Sequence, residues 1–354
     1  MNNHKLLRNM LEIYSPSGEE DKLADFLQPT MNERGYSTSR DEIGNLIGRI
    51  GTGRTKVLLL GHLDTVEGEI PVREKDGKLY GRGAVDAKSA LATFIEVGSE
   101  FEDSGGLEIR VVGVVEEETS SKGAYEYLDA TKPGYKPDYA VVGEPSGWEG
   151  ITLGYRGSIR LNYSLNKPKA HHGKGAPLPA EEALTFFRKI KSNFNPDAPD
   201  FHSTSVRLTD IRTESEPFQE SVTMKLDIRT SPGFNKKDLD EFIKEHSHQA
   251  SVDITGLIPP VRSSKKTRLV SAFIGGVREA GGTPRFKFKT GTADMNILAK
   301  NWDSPVIAYG PGDSSLDHTP DEHIDLNELS RARRVLTGAL KRLNSQGGEV
   351  RATT

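Results

Sequence analysis

The 354-residue chain contains no cysteine, which excludes disulfides, thiolate metal sites and cysteine nucleophiles. Any metal ion would therefore have to bind to histidine, aspartate and glutamate side chains. Basic residues are not in excess either, with 47 lysines and arginines against 51 aspartates and glutamates and a formal net charge of -4. This balance argues against a protein that binds nucleic acid through a general basic surface.

Long apolar runs are also missing. No stretch approaches the roughly 18 apolar residues of a membrane-spanning helix. The first twenty residues, MNNHKLLRNMLEIYSPSGEE, lack the apolar core and cleavage site of a secretory signal. We therefore expect a cytoplasmic protein with no membrane partner.

Short apolar segments alternate with helical patterns in the first half of the chain. KVLLLGHLD, EIRVVGVVEEE and YAVVGEP are typical of buried parallel strands, and KSALATFIEVGSEF is typical of a connecting helix. The pattern predicts an α/β fold with a mostly parallel sheet between helices. Ligands of such sheets bind at the carboxyl ends of the strands, where His62, Asp64, Glu144 and the run Glu116 to Glu118 fall.

The pattern changes near residue 156. From there the chain reads strand, helix, two strands, helix and strand, which fits an inserted α+β domain of ferredoxin-like topology. Ile258-Pro259-Pro260 then marks a return to alternating helix and strand. The predicted division is residues 1–155 for the first part of the main domain, 156–259 for the insert and 260–354 for the second part.

Several polar residues near the predicted strand ends are ambiguous one by one. His62 and Asp64 are two apart on a strand, so they face the same side, either as an ordinary hydrogen-bonded pair or as a metal ligand with its orienting carboxylate. Asp86 fits a helix cap, and Glu144 and His318 fit exposed positions. The three consecutive glutamates fit a solvated turn. Together, however, these side chains supply what two divalent cations with a shared carboxylate need, and zinc accepts both imidazole and carboxylate.

These residues, in this order, resemble the M20 metallopeptidase and deacylase family, which includes acetylornithine deacetylase and succinyl-diaminopimelate desuccinylase. The resemblance spans nearly the whole chain. It lies in the segments SPSGEE, LLLGHLDTV, LYGRGAVDAK, VVEEETSSKG, VVGEPS, KAHHGKGAP, KLDIRTSPG, TGTADMN and GPGDSSLDHTPDE. It implies a zinc-exopeptidase-like fold and a hydrolase of linear amide C–N bonds that uses two divalent metal ions, zinc or alternatively cobalt.

The resemblance assigns metal ligands to individual positions. Asp86 would bridge the two ions. His62 and Glu144 would complete one site. Glu118 and His318 would complete the other. The main domain would therefore be the catalytic, metal-binding domain.

Catalytic roles follow from the same resemblance. Asp64 would fix the tautomer of the histidine ligand, and Glu117 would act as the general base. Because three glutamates are consecutive, this alignment carries a one-residue ambiguity, and Glu116 receives no role. The insert resembles a dimerisation or lid domain, in which His171, or else His172, would reach the partner subunit's active site and stabilise the oxyanion. A homodimer is therefore expected.

Substrate contacts are expected from Arg229 and from the loop that contains Thr290, Gly291 and Asp294. For the arginine, an ordinary ion pair with a neighbouring aspartate is the alternative.

Within the family, GHLDTVEGEIPVREKDGKLYGRGAVDAK and GEPSGWEGITLGYRG look most similar to a group that releases lysine or ornithine from a small acidic amino-group carrier protein. The bond broken there joins the γ-carboxyl of the carrier's terminal glutamate to the amino acid, in the last step of lysine or arginine biosynthesis. Lys167, Lys169 and Lys174 could contact such a carrier, although an exposed loop explains them as well.

Two other functions fit the residues. One is a deacylase acting on free N-acetylornithine or N-succinyl-diaminopimelate. The other is a metal-binding or peptide-binding protein without activity, which the presence of a base at Glu117 argues against.

Overall fold

The computed structural model describes residues 4–169, 177–194 and 200–344. They fall into two compact units. The main unit consists of the described residues of Met1–Gly154, Ser263–Lys287 and Ala293–Thr354. The inserted unit consists of those of Tyr155–Arg262 together with Phe288–Thr292.

Strands and helices alternate along the described chain. The strands are β1 (Ser37–Arg40), β2 (Leu46–Ile50), β3 (Thr55–His62), β4 (Arg73–Lys75), β5 (Lys78–Tyr80), β6 (Leu107–Val114), β7 (Tyr139–Val142), β8 (Gly150–Tyr155), β9 (Gly157–Pro168), β10 (Ser205–Ser215), β11 (Gln219–Thr230), β12 (Ser251–Ile258), β13 (Val261–Arg262), β14 (Arg285–Lys289), β15 (Val306–Ala308) and β16 (His323–Asp325). The helices are α1 (Lys5–Leu11), α2 (Asp21–Asn32), α3 (Lys88–Ser99), α4 (Lys122–Thr131), α5 (Pro179–Phe194), α6 (Lys236–His246), α7 (Arg268–Glu279), α8 (Asp294–Asn301) and α9 (Leu326–Asn344).

The main unit is built on a sheet with the strand order β1-β2-β6-β3-β7-β15-β8. Its central strands β6, β3, β7 and β15 are parallel, as the apolar segments predicted. Consecutive residues Leu58, Leu59 and Leu60 of β3 are all fully buried. A strand buried on both faces needs apolar residues at every position, which explains the unbroken run in the sequence.

Helices pack against this sheet through apolar faces. Helix α3 lies against β3 and β6 and also contacts α1 and α9. Helix α4 contacts β6, and α8 contacts β15. Among the helices that the structure describes, none has the length and hydrophobicity needed to cross a membrane.

The inserted unit contains an antiparallel four-stranded sheet with the order β10-β11-β9-β12. With α5 after β9 and α6 after β11, the element order is the predicted ferredoxin-like one. Alternate residues of β9, such as Ile159, Leu161 and Tyr163, are buried against α5 and α6, whereas Arg160 and Asn162 are exposed. One face of this sheet is therefore apolar and covered by helices, and the other is polar.

Candidate active site

The sheet topology brings the predicted site residues to one edge. Strand β3 ends at His62, and its parallel neighbours β6 and β7 end just before Glu116 and Glu144. Because parallel strands run in one direction, the residues that follow them lie at the same edge of the sheet. Asp86, just before α3, and His318 lie beside this edge through their contacts with His62 and Glu118.

His62 is buried, and its two ring nitrogens have different surroundings. Nδ1 lies 2.8 Å from the backbone carbonyl oxygen of Asp64 and 3.5 Å from a carboxylate oxygen of the same residue. A carbonyl can only accept, so Nδ1 carries a hydrogen, and Nε2 is the ring nitrogen whose lone pair the neutral form of the ring would offer to a metal ion. The ring of His62 therefore lies closer to the backbone carbonyl of Asp64 than to the Asp64 carboxylate, which the sequence suggested as the orienting group.

The carboxylate of Asp64 holds the glutamate run in place instead. Its oxygens accept hydrogen bonds from the backbone N–H groups of Glu117 and Glu118, both at 3.0 Å, and from the hydroxyl of Ser17 at 2.6 Å. Burial opposes its ionisation, but the contact with His62 and these hydrogen bonds keep the pKa of Asp64 below its ordinary value. One fully buried carboxylate therefore fixes the backbone of both glutamates.

Glu116, which had no expected role, forms the bend that precedes them. Its backbone is left-handed, with φ of 55°, and its N–H donates to Glu20 at 3.0 Å. Its carbonyl accepts from the N–H of Ser121 at 2.7 Å, and its carboxylate accepts from the hydroxyl of Ser120 at 2.7 Å. Glu116 is a turn residue that directs the next two side chains, a role that a sequence pattern does not reveal.

Asp86 is held from behind by Glu322, a residue that the sequence motifs did not single out. One oxygen of this buried carboxylate accepts from the N–H groups of Val85 at 2.8 Å and Asp86 at 3.0 Å. The other accepts from Arg82 at 2.9 Å, and Arg82 also donates to the carbonyl of Thr319 at 3.3 Å. The only sequence signal was a glutamate four residues after His318. This network fixes the two loops that carry Asp86 and His318.

Two groups of side chains could each hold a metal ion, with ligand atoms within 4.8 Å of one another. One contains His62, Glu117 and Glu118, and the other contains Asp86, Glu118 and His318. In the second, Nε2 of the exposed His318 lies 3.1 Å from Asp86 and 3.2 Å from Glu118. Glu144 belongs to neither group among the residues that the structure describes.

The carboxylates of the site repel one another. Burial, and then the charge of Glu144, raises the pKa of Glu117 well above its ordinary value. Burial, and then the charge of Asp86, does the same to the pKa of Glu144. Burial also raises the pKa of Asp294 to about 7. So many buried carboxylates are costly unless cations or protons compensate them.

Buried polar atoms that lack hydrogen-bond partners also indicate that the site fits divalent cations. Within the described part of the chain, Nε2 of His62 and Oε1 of Glu118 are buried and have no hydrogen-bond partner. Unpartnered buried atoms of this kind are rare in folded proteins, and a bound ion can supply the partner that they need. Imidazole and carboxylate donors without thiolates are ligands that divalent metal ions accept.

The remaining expected residues divide between the units. In the inserted unit, Arg229 pairs with Asp227 at 2.9 Å, the alternative that the sequence left open, and donates to Thr292 at 3.1 Å. Together with Thr290 and Gly291 it also lines a cavity of about 530 Å³.

Asp294 is buried in the main unit. His171, its fallback His172 and Lys174 lie outside the described residues. Lys167 pairs with Glu182, and Lys169 donates to Ser215 at 3.0 Å.

Comparison with known proteins gives a consistent result. The family model described as Peptidase family M20/M25/M40 matches residues 58–342 of this chain. A LysW-lysine hydrolase of Deinococcus radiodurans is 39% identical over 352 residues, with 96% of each chain covered. A Thermococcus kodakarensis protein, provisionally named a LysW-lysine/LysW-ornithine hydrolase, is 39% identical over 349 residues, which cover 98% of this chain and 93% of that one. A solved M20 family metallo-carboxypeptidase from Sulfolobus solfataricus superposes with a TM-score of 0.79 at 17% identity, over 97% of this chain and 100% of that one.

Proposed function

This chain belongs to peptidase family M20/M25/M40, and we propose that it is a metal-dependent amide hydrolase that releases lysine or ornithine from the terminal glutamyl γ-carboxyl of an acidic amino-group carrier protein. The observation that carries the hydrolytic chemistry is the buried Asp64 carboxylate, which holds Glu117 and Glu118 beside His62. The choice of acyl group rests on relatives that are 39% identical over nearly their whole length and are named for LysW-linked lysine or ornithine.

We propose two divalent ions, zinc or cobalt. Asp86 would bridge them, with His62 and Glu144 on one ion and with Glu118 and His318 on the other. Burial, and then the charge of Asp86, raises the pKa of Glu144, and this nearby charge supports the place of Glu144 among the ligands. When bound, such ions polarise an amide carbonyl and make water more acidic.

Glu117 supplies the proton transfers in this proposal. Its carboxylate takes a proton from the attacking water and delivers it to the nitrogen of the departing amino acid. Between these two steps the carboxyl group of Glu117 holds the proton. Asp64 keeps the backbone of Glu117 fixed throughout through the N–H···O bond of 3.0 Å.

The inserted unit completes the proposal. We infer that residues 156–259 act as a dimerisation or lid domain between the two parts of the catalytic domain, 1–155 and 260–354. His171 would supply an oxyanion donor to the partner subunit, and Arg229, Thr290, Gly291 and Asp294 would contact substrate. We propose a homodimer on this basis, and a cytoplasmic location because the proposed reaction belongs to amino-acid biosynthesis.

Parallel assays test the substrate. The purified protein, supplied with zinc or cobalt, is incubated with lysine or ornithine linked to the carrier and, separately, with their free N-acetyl forms, and the released amino acid is measured. We expect release from the carrier-linked form with a much higher kcat/KM. Activity confined to the acetylated compounds would replace the carrier by a free small molecule as substrate.

A further inference from the structure

The backbone that carries the proposed general base is held by side chains from other parts of the chain. Strand β6 ends at Val114, and the segment Val115 to Glu118 that follows it consists of a bend and a turn. Each of its four consecutive backbone N–H groups donates to a side-chain oxygen. Two of these bonds go to Asp64, and the other two go to Asn45 and Glu20. Because backbone N–H groups need acceptors when they are buried, these side chains set the path of the glutamate run.

Glu20 supports the bend immediately before Glu117. It is buried, and it lies just before helix α2, at the end of the SPSGEE segment. A single carboxylate oxygen, Oε1, accepts from the N–H of Gly18 at 2.9 Å and from the N–H of Glu116 at 3.0 Å. Both bonds require an acceptor oxygen, which a neutral side-chain amide supplies as well as a carboxylate does.

The segment that carries Glu20 is itself fixed to the residues that follow His62. The hydroxyl of the fully buried Ser15 donates to the carbonyl of Leu63 at 2.8 Å. The carbonyl of Ser15 accepts from the N–H of Thr65 at 2.9 Å. Glu20 therefore extends from a segment that is bound to the same edge of the sheet as the metal-site histidine, and it transmits this fixed position to the glutamate run.

Asn45 closes the loop that contains all three glutamates. Its fully buried amide oxygen accepts from the N–H of Val115 at 3.0 Å. Its Nδ2 donates to the carbonyl of Gly123 at 2.9 Å and to the carboxylate of Asp41 at 2.7 Å. The N–H of Gly123 also donates to the carbonyl of Val115 at 3.1 Å. Only a side chain with both an acceptor and donors satisfies these partners, so an amide is required at this position.

We propose that Glu20 and Asn45 are positioning residues, which act through the backbone of this loop to keep the Glu117 carboxylate where it meets the attacking water. The inference rests on the proposed function, in which Glu117 moves the proton. A general base works only within hydrogen-bond reach of that proton, so a small displacement of the loop lowers kcat and leaves substrate binding unchanged. Asp64 also contacts His62, whereas Glu20 and Asn45 support the base separately from that ligand.

Two substitutions at Glu20 test the acceptor role in the metal-loaded protein with carrier-linked lysine as substrate. E20M has about the same length but offers no acceptor, so kcat should fall about 10- to 100-fold with KM and metal content unchanged. E20Q keeps an oxygen for both N–H groups and should restore kcat. E19M, at the exposed neighbouring residue, is the matched control. N45D turns a lone pair toward the carbonyl of Gly123 and should lower kcat as E20M does.

Amide hydrogen exchange, followed by mass spectrometry, gives a readout that does not depend on the reaction. In E20M the peptide that covers the loop from Val115 to Gly123 should exchange about tenfold faster than in the wild type, in E20Q or in E19M, because one N–H has lost its acceptor.

Three results would overturn the proposal. They are an unchanged kcat in E20M, an equal loss of kcat in E20Q and E20M, and faster exchange throughout E20M rather than in the loop, which would indicate general destabilisation. If the wild type releases nothing from the carrier, the proposed function fails, whereas faster exchange confined to the loop of E20M would still establish the support that Glu20 gives.

Discussion

The two units hold charge in opposite ways. In the main unit, acidic and imidazole side chains are buried, and backbone N–H groups fix them through Asp64 and Glu322. In the inserted unit, Arg160 and Arg207 are exposed on a sheet face and have no such support. Backbone hydrogen bonds define positions to fractions of an ångström, whereas exposed side chains adapt to a ligand. The first arrangement holds side chains at fixed positions, as bond breaking requires, and the second leaves them free to adapt, so substitutions should affect the two units very differently.

The largest difference is expected at Glu117. The variant E117Q keeps the size and the backbone contact with Asp64 but removes the proton acceptor. We expect kcat to fall by about 10² to 10⁴-fold, the usual contribution of a general base. Metal content, measured by mass spectrometry of the purified protein, should stay at the wild-type value. Unchanged kcat, or loss of metal together with kcat, would contradict the assigned role.

Removal of the metal ions should destabilise the protein through repulsion between buried carboxylates, which lie in the main unit and not in the sheet face of the inserted unit. Without cations, burial and neighbouring carboxylates raise the pKa of Glu117 and Glu144. The folded state then binds protons more tightly than the unfolded state, so stability is present below the unfolded pKa and declines as pH rises above it.

Chelated protein should therefore lose unfolding free energy from about pH 4.5 upward. Zinc at a hundredfold excess over its Kd should restore about 2.7 kcal/mol for each bound ion at neutral pH. The measurement is chemical denaturation across pH with and without zinc. A chelated protein that is as stable as the loaded one at neutral pH would speak against bound cations.

A smaller effect is expected from the support behind Asp86. In E322Q, one acceptor oxygen becomes an NH₂ group that faces N–H donors, either of Arg82 or of the backbone at Val85 and Asp86. Loss of such an orienting contact typically weakens metal binding about 10- to 100-fold. Competition with a chromophoric chelator measures it. D321N, in the exposed neighbouring residue, should bind metal like the wild type.

Much of this difference between the two units could be predicted from the sequence, but only for features that depend on residues close to one another along the chain. Unbroken apolar runs predicted the parallel strands, and their ends predicted which side chains of the main unit meet. The backbone carbonyl of Asp64 that orients His62 depends on the local course of the chain, which a His-x-Asp pattern does not specify. The N–H acceptor role of Glu322 depends on a contact between distant segments. In the inserted unit, the alignment of Arg207 with Asp227 and of Asp227 with Arg160 depends on strand register, which spacing along the chain does not encode.

The last prediction concerns the stability of the fold at Glu116, the turn residue that precedes Glu117 and Glu118. Its φ of 55° is unfavourable for a β-branched residue, so E116V should lower the free energy of unfolding by about 1 to 3 kcal/mol. E116N tolerates this conformation and should stay within about 0.5 kcal/mol of wild type. E126V, at an exposed position of α4, controls for the valine itself and should cost under about 1 kcal/mol. If E116N were as unstable as E116V, the carboxylate and its bond to Ser120, rather than the backbone bend, would be what the three-glutamate run requires.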